Sequence, residues 1–271
     1  MTKTVSGINP RVLEWARRQA GLSVNDVAER MKKDPTMIES WERGDSTPTY
    51  VQLERLAYKV FQRPLALFFF PDPPDEPDLE RSFRTLPTPE AEELTSDTRY
   101  KVREARAFQI TLYELNGGIN PAERKIFNDI TVDPQTSASD TAVAVRSYLG
   151  IEVETRAQWR STSDWFKNCR NAVEDAGVYV FKNSFKQETV SGFCLYDSEF
   201  PIIYINNSTA ATRQLFTLFH ELAHVLLHTN GVTKLDDDYM RAGHNSHAAL
   251  RKALSPALRS WPCSYWYSRA S

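Results

Sequence analysis

The chain has 271 residues, with 33 Lys and Arg against 35 Asp and Glu, and 41% of its residues are hydrophobic. The length fits one large domain or two smaller ones, and a net charge of −2 excludes polyanion binding by overall charge alone. No segment approaches the length of an apolar membrane span or of a signal-peptide core, so we expect neither. Cys169, Cys194 and Cys263 form no CxxC pair, which favours a protein of the reducing cytoplasm.

The first 71 residues carry the start and stop signals of four short helices. Asn9, Ser23, Asp34 and Pro48 each stand just before an apolar-periodic stretch and predict a helix start, and Gly44 predicts the end of the third helix. Four or five short helices joined by tight turns are typical of a helix-turn-helix bundle.

A sequence pattern within this helical region matches that of a known family. The segment GLSVNDVAERMKKDPTMIESWERGDSTPTYVQLERLA resembles the XRE, or lambda-repressor/Cro-like, DNA-binding domain. The family pattern I..WE.G...P falls on Ile38, Trp41, Glu42, Gly44 and Pro48. The resemblance implies an all-α, lambda-repressor-like domain over residues 1–71 that binds DNA, and such domains commonly pair as homodimers on palindromic sites.

The same resemblance assigns the recognition helix to residues 36–43. The side chains expected nearest to DNA are those of Thr36, Met37, Ser40 and Arg43. The charge of this region is only mildly basic: residues 1–71 hold 11 Lys and Arg against 8 Asp and Glu, and carboxylates beside the reading surface repel phosphate. The alternative interpretation is a helix-turn-helix module used for protein contact or dimerisation.

An acidic, proline-rich run, PDPPDEPD at residues 71–78, predicts a semi-rigid linker over residues 72–94, because proline cannot continue a helix. Beyond it we expect a mainly helical α+β domain over residues 95–243, with a small antiparallel sheet that leads into a further helix. The apolar pattern predicts helices over residues 95–116, 139–149 and 163–176, and strands over residues 178–181, 190–195 and 202–205.

The most informative motif is His220-Glu221-Leu222-Ala223-His224, an HExxH sequence inside the apolar run LFTLFHELAHVLLH. Residues four apart share one face of a helix, so His220 and His224 can offer two imidazole nitrogens to one metal ion. Glu221 can then act as general base toward a metal-bound water. The alternative interpretation is a core helix with two hydrogen-bonded histidines.

The segment GFCLYDSEFPIIYINNSTAATRQLFTLFHELAHVLLH resembles the ImmA/IrrE family of zinc metallopeptidases. The resemblance implies a zincin-like fold, one Zn2+ ion, and cleavage of a protein substrate that is often a helix-turn-helix repressor. His228 follows His224 by four residues on nearly the same face, so we weigh it as a substrate or outer-shell contact against a capping or surface histidine.

The family pattern breaks at the third metal ligand. The resemblance supplies a Glu 20 to 30 residues after the second His, whereas no Glu follows Glu221 in this chain. The third-ligand candidates are His247, which we prefer for its spacing, and His244, Asp236, Asp237 and Asp238. The remaining explanation is a truncated or replaced domain end, with residues 244–271 as an atypical tail.

These observations leave two functional hypotheses. The first is a cytoplasmic zinc endopeptidase, coupled to a DNA-binding domain, that cleaves a regulatory protein in a stress, mobile-element or toxin–antitoxin circuit. The second is a DNA-binding regulator or antitoxin-type protein whose peptidase-like domain is inactive or only senses a partner.

Overall fold

A computed structural model describes residues 4–76, 94–132, 138–151, 159 and 161–234. The chain divides into two compact units, Met1–Arg103 and Glu104–Ser271. Most of the expected linker, the expected tail over residues 244–271 and all five third-ligand candidates lie outside the described residues. None of the helices in the described part is long and apolar enough to cross a membrane.

The first unit is a bundle of short helices. They are α1 (Pro10–Gln19), α2 (Val24–Met31), α3 (Pro35–Arg43) and α4 (Tyr50–Arg55), which continues as a π-helical segment (Leu56–Phe61) before a 3-10 turn (Leu65–Phe69). Their apolar faces meet in one core that contains Ile38, Trp41, Leu53 and Phe68. The helix-turn-helix architecture expected from the sequence is therefore present.

Local capping explains where these helices begin and end. The side chain of Asn9 accepts a hydrogen bond from the backbone of Arg11 at the start of α1, and Ser23 forms a capping box at the start of α2. Gly44 ends α3 in the left-handed conformation with φ 81°. The fourth helix begins at Tyr50, later than the expected start at Pro48, because the side chain of Thr49 provides the N-cap.

The residues after the bundle remain attached to it as far as Glu76. Asn9 Nδ2 donates to the backbone oxygens of Phe70 and Pro71, at 3.0 and 2.7 Å. The buried guanidinium of Arg63 donates to both carboxylate oxygens of Glu76. The first part of the proline-rich run therefore belongs to the first unit.

The second unit combines helices with a four-stranded sheet. Its elements are α5 (Ser96–Leu115, which contains the boundary between the units), α6 (Ile126–Asp129), α7 (Ala138–Leu149), α8 (Thr162–Asp175), β1 (Tyr179–Asn183), β2 (Val190–Leu195), β3 (Ile202–Asn206), α9 (Ala211–Leu226) and β4 (Gly231–Lys234). The α+β class expected from the sequence is observed.

The sheet is mixed, which corrects the expectation of an antiparallel sheet. The strand order is β1-β3-β2-β4; β2 is antiparallel to β3 and β4, but β1 pairs with β3 in parallel, with Tyr179 opposite Ile202. The parallel pair arises because β1 and β2 are not neighbours: they run in opposite directions and are separated by one strand position, so that their axes lie about 10 Å apart. Residues 184–189 can bridge that gap, and β3 then fills it next to β2.

Helices cover both faces of this sheet. Ile203 and Ile205 of β3 join the core formed with α8 and α9. On the other face, Tyr204 stacks on Phe193 with ring centroids 5.3 Å apart, and Phe108 of α5 stacks on the sheet. Strands β2 and β3 are buried along their whole length, which explains their continuous apolar sequence.

Candidate metal centre

The HExxH motif lies in a fully buried stretch of helix α9. Every residue of α9 from Thr217 to Leu226 is buried, and the helix packs against α8 on one side and against β2, β3 and β4 on another. A helix that is apolar on nearly all sides is stable only inside a protein core. Polar side chains at such positions are costly unless they have partners or a functional role.

The two histidines of the motif meet at their Nε2 atoms. His220 Nε2 and His224 Nε2 are 3.3 Å apart, and the side chains retain only 8% and 7% of their exposure. Two nitrogens that bind one tetrahedral zinc ion at 2.0–2.1 Å lie about 3.3 to 3.4 Å from each other. The pair therefore fits a shared zinc ion, and the same distance also permits a hydrogen bond between the rings.

Glu221 is held against the sheet rather than toward solvent. Its side chain is fully buried, and Oε1 accepts a hydrogen bond from the hydroxyl of Thr233 on β4. The thiol of Cys194 on β2 lies next to the same carboxylate. Burial, and then the negative charge of Glu221, raise the pKa of that thiol well above its ordinary value. The neighbours of this buried carboxylate thus include the hydroxyl of Thr233 and the thiol of Cys194, and the carboxylate is shielded from bulk water.

Strand β4 approaches the motif so closely that only glycine fits at its first position. A Cβ atom on Gly231 would lie 2.6 Å from Cγ of His224 and 2.9 Å from Oε2 of Glu221. The backbone of β4 therefore forms one wall of the site and limits where the His224 ring and the Glu221 carboxylate can lie.

The turn between α9 and β4 supplies a partner for the second histidine. Thr229 Oγ1 is 3.3 Å from His224 Nδ1, the ring nitrogen that does not face His220. His228 makes different contacts from the two motif histidines. Its Nε2 lies 2.9 Å from the backbone oxygen of Phe127, and its exposed ring stacks on Tyr196. This favours the interpretation of His228 as a surface histidine.

The described residues bring together two candidate metal ligands, His220 and His224. Within residues 4–76, 94–132, 138–151, 159 and 161–234, no group of three or more His, Cys, Asp or Glu side chains could hold a metal ion. The third-ligand candidates named from the sequence all follow residue 234. Thr229, Gly231 and Thr233 were not found by sequence reasoning, because a short polar segment after a helix gives no signal that it returns to the motif.

The expected DNA-reading residues lie together on α3. Thr36, Met37 and Arg43 are exposed, and Ser40 is half-buried. Their polar groups are engaged within the unit: the hydroxyl of Ser40 bonds the backbone oxygen of Met37, and Arg43 pairs with Asp45 at 2.8 Å. The guanidinium of Arg43 also lies 3.5 Å from a carboxylate oxygen of Glu39. The positive charge of Arg43 is therefore offset by neighbouring carboxylates.

Comparisons with known families match both parts of the chain. Residues 13–64 match the family described as Helix-turn-helix, and residues 173–251 match a peptidase family described as the IrrE N-terminal-like domain. No curated protein and no solved structure gave a match to this chain. The chain thus carries a region similar to DNA-binding helix-turn-helix domains, followed by a region similar to IrrE-like peptidases.

Proposed function

We propose that this protein is a cytoplasmic zinc-dependent endopeptidase, coupled to a DNA-binding domain, that cleaves a regulatory protein. The substrate class we favour is a helix-turn-helix repressor in a stress, mobile-element or toxin–antitoxin circuit. The observation that carries the proposal is the pair of buried Nε2 atoms 3.3 Å apart, next to the buried carboxylate of Glu221, in the region similar to IrrE-like peptidases.

His220 and His224 would hold the metal, and the third ligand would come from the segment after β4, with His247 as the first candidate. The family match extends to residue 251 and so includes this segment. When bound, zinc would lower the pKa of a coordinated water and polarise the scissile carbonyl. Neutral imidazole nitrogens suit this borderline cation.

Glu221 would move the proton in this reaction. Its carboxylate takes a proton from the attacking water and later gives it to the leaving amine of the cleaved peptide bond. The hydroxyl of Thr233 holds Oε1, so the carboxylate does not have to be ordered when the substrate binds. Burial by α9 and the sheet keeps bulk water away from the proton transfer.

The helix-turn-helix unit would direct this activity to DNA-bound regulators. Thr36, Met37, Ser40 and Arg43 would face the major groove, and a homodimer would match a palindromic operator. Because Arg43 already pairs with Asp45, we expect the unit to depend on groove contacts and dimerisation more than on charge.

Metal analysis of the full chain with matched variants tests the proposal. Wild-type protein is expected to bind about one zinc, His220→Ala and His224→Ala to lose it, and His228→Ala, at the exposed histidine, to retain it. Glu221→Gln is expected to keep the metal and to lose cleavage of a co-expressed helix-turn-helix repressor. Wild-type protein without zinc, or Glu221→Gln with full cleavage, would disprove the endopeptidase assignment.

A second candidate function follows from the ligand set. No Glu follows Glu221 within the matched region, which ends at residue 251, and the described residues bring together only two candidate ligands, which favours a regulator or antitoxin-type protein whose peptidase-like region binds a partner without cleaving it. In that case the protein would shift its own promoter DNA in a salt-dependent way, and Glu221→Gln would leave its biological effect unchanged.

A further inference from the structure

The ring of His224 is restrained on two sides by the segment that follows its helix. The backbone of Gly231 leaves no room for even a Cβ atom against the ring carbon Cγ. Thr229 lies at the ring edge, where its Oγ1 is 3.3 Å from Nδ1. These contacts restrict rotation of the ring, so that Nδ1 faces Thr229 and Nε2 faces His220.

The hydroxyl of Thr229 has a second neighbour that competes with Nδ1 of His224 for its single proton. Oγ1 lies 3.2 Å from the backbone oxygen of His224, which can only accept a hydrogen bond. A hydroxyl has one proton, and when that proton goes to the carbonyl, the hydroxyl oxygen can only accept from the ring. Nδ1 of His224 then carries the ring proton.

The position of Thr229 is itself fixed from both sides. Its backbone N–H donates to the oxygen of His224 at 3.0 Å, and its own backbone oxygen accepts from the thiol of Cys194 at 3.6 Å. Asn230, the next residue, accepts through Oδ1 from the backbone of Tyr196 at 2.7 Å. The turn is therefore anchored to β2 and its exit, and the hydroxyl does not depend on a flexible loop.

We propose that Thr229 is a positioning residue that keeps the proton of His224 on Nδ1 and so leaves the Nε2 lone pair to the metal ion. The inference rests on the metal site proposed above. A neutral imidazole has one N–H, and a proton on Nε2 would block the nitrogen that faces His220. Partners of this kind behind a metal-binding histidine fix both its tautomer and its orientation.

The tautomer can be read directly from long-range 1H–15N correlation spectra of the metal-free full chain, recorded where imidazole is neutral. Wild-type protein is expected to show His224 mainly as the Nδ1–H tautomer, assigned with His224→Ala. Thr229→Val keeps the shape but removes the hydroxyl, and is expected to shift His224 toward Nε2–H and to weaken zinc binding about 10-fold or more. Thr229→Ser retains the hydroxyl and is expected to restore both properties.

Thr209→Val is the matched control. Its hydroxyl also donates to a backbone oxygen, that of Asn206 at 3.0 Å, so this variant tests the general cost of removing such a bond. It is expected to keep the wild-type tautomer and zinc affinity.

A wild-type His224 that carries its proton on Nε2 would overturn the proposal, as would a folded Thr229→Val variant with unchanged tautomer and zinc affinity. If Thr229→Val does not fold, the proposal is still tested by the tautomer of His224 in the wild-type protein and by the tautomer and zinc affinity of Thr229→Ser. Neither measurement needs a substrate, so a protein that binds zinc without cleaving anything would refute the endopeptidase assignment and leave this inference intact.

Discussion

The hydroxyl of Thr233 donates a hydrogen bond to Oε1 of Glu221, and neither side chain has any exposure to solvent. A buried carboxylate is costly unless donors compensate for the lost water. Strand β4 therefore does more than extend the sheet, because it supplies the donor that allows the carboxylate of Glu221, our proposed general base, to lie inside a protein core.

Replacing Thr233 by Val is expected to destabilise the protein by about 1 to 3 kcal/mol, because a buried acceptor loses its donor while the shape is kept. Chemical denaturation measures this change. Thr233→Ser retains the hydroxyl and should recover most of the loss. Equal stability of the Val variant and the wild type would mean that the carboxylate does not need this bond.

Replacing Gly231 by Ala is expected to abolish zinc binding, because the added Cβ would displace the His224 ring and the Glu221 carboxylate. Zinc content and thermal unfolding measure the two effects. Gly117→Ala is the control: its Cβ would meet no atom within 4 Å, so only the positive φ of 61° opposes it. We expect that control to cost about 1 kcal/mol and to bind zinc normally.

Breaking the ion pair between Arg17 and Glu42 is expected to destabilise the first unit by about 2 to 3 kcal/mol, since removal of one partner leaves a largely buried charge. The two side chains are only 13% and 11% exposed, and Arg17 Nε lies 2.8 Å from Glu42 Oε1. Glu42→Gln tests this by urea unfolding. The exposed pair Glu14–Arg18 is the contrast, and Glu14→Gln should change stability by less than about 0.5 kcal/mol.

The capping box of α2 should make the first unit sensitive to acid. The hydrogen bonds from the side chain and backbone of Ser23 lower the pKa of Asp26 below its ordinary 3.8. A carboxylate with a lowered pKa in the folded state stabilises the fold above its unfolded pKa, and this contribution disappears as the pH falls through the folded value. Asp26→Asn should therefore lower the unfolding temperature near neutral pH and have little effect in strong acid. A pH-independent difference between the two proteins would contradict this assignment.

Arg43→Ala is expected to weaken binding to the protein's own promoter DNA more than binding to unrelated DNA, because we place this side chain in the major groove, where it would contact a base edge. The slope of log affinity against log salt should change by less than about 1, since Asp45 already offsets the charge of Arg43. Titrations of both DNAs at several salt concentrations measure these effects. Arg170→Ala, in the second unit, removes an arginine that pairs with Glu174 and should leave both affinities unchanged. Unchanged affinity of Arg43→Ala for both DNAs would remove this residue from the DNA interface.

Local signals in the sequence were sufficient to predict most helix boundaries. Asn9, Ser23 and Gly44 act within one turn of their own position, so their roles do not depend on the rest of the fold. Glu42 shows the limit of such reasoning. Its place in the family pattern gave no role for its side chain, whereas the structure shows a largely buried partner for Arg17 of α1.

Non-local relationships were the part that sequence reasoning missed. The parallel pairing of β1 with β3 joins residues on separate strands, and neither strand's pattern records its partner. The same holds for Thr229, Gly231 and Thr233, which matter only because β4 returns along β2 toward α9. The meeting of His220 and His224 was predictable because both histidines lie on one helix, at a spacing set by the helix itself.

The interleaved strand order has a consequence for how the protein emerges from the ribosome. Strands β1 and β2 are synthesised before β3, the strand that lies between them in the sheet. Until residue 206 has been made, the backbone groups of β1 and β2 that pair with β3 have no partner strand. Helix α9 comes next, and the donor for its glutamate comes only with residue 233. The nascent chain therefore cannot complete the surroundings of the Glu221 carboxylate until residue 233 has been made, so any activity that needs the bond from Thr233 comes late in synthesis.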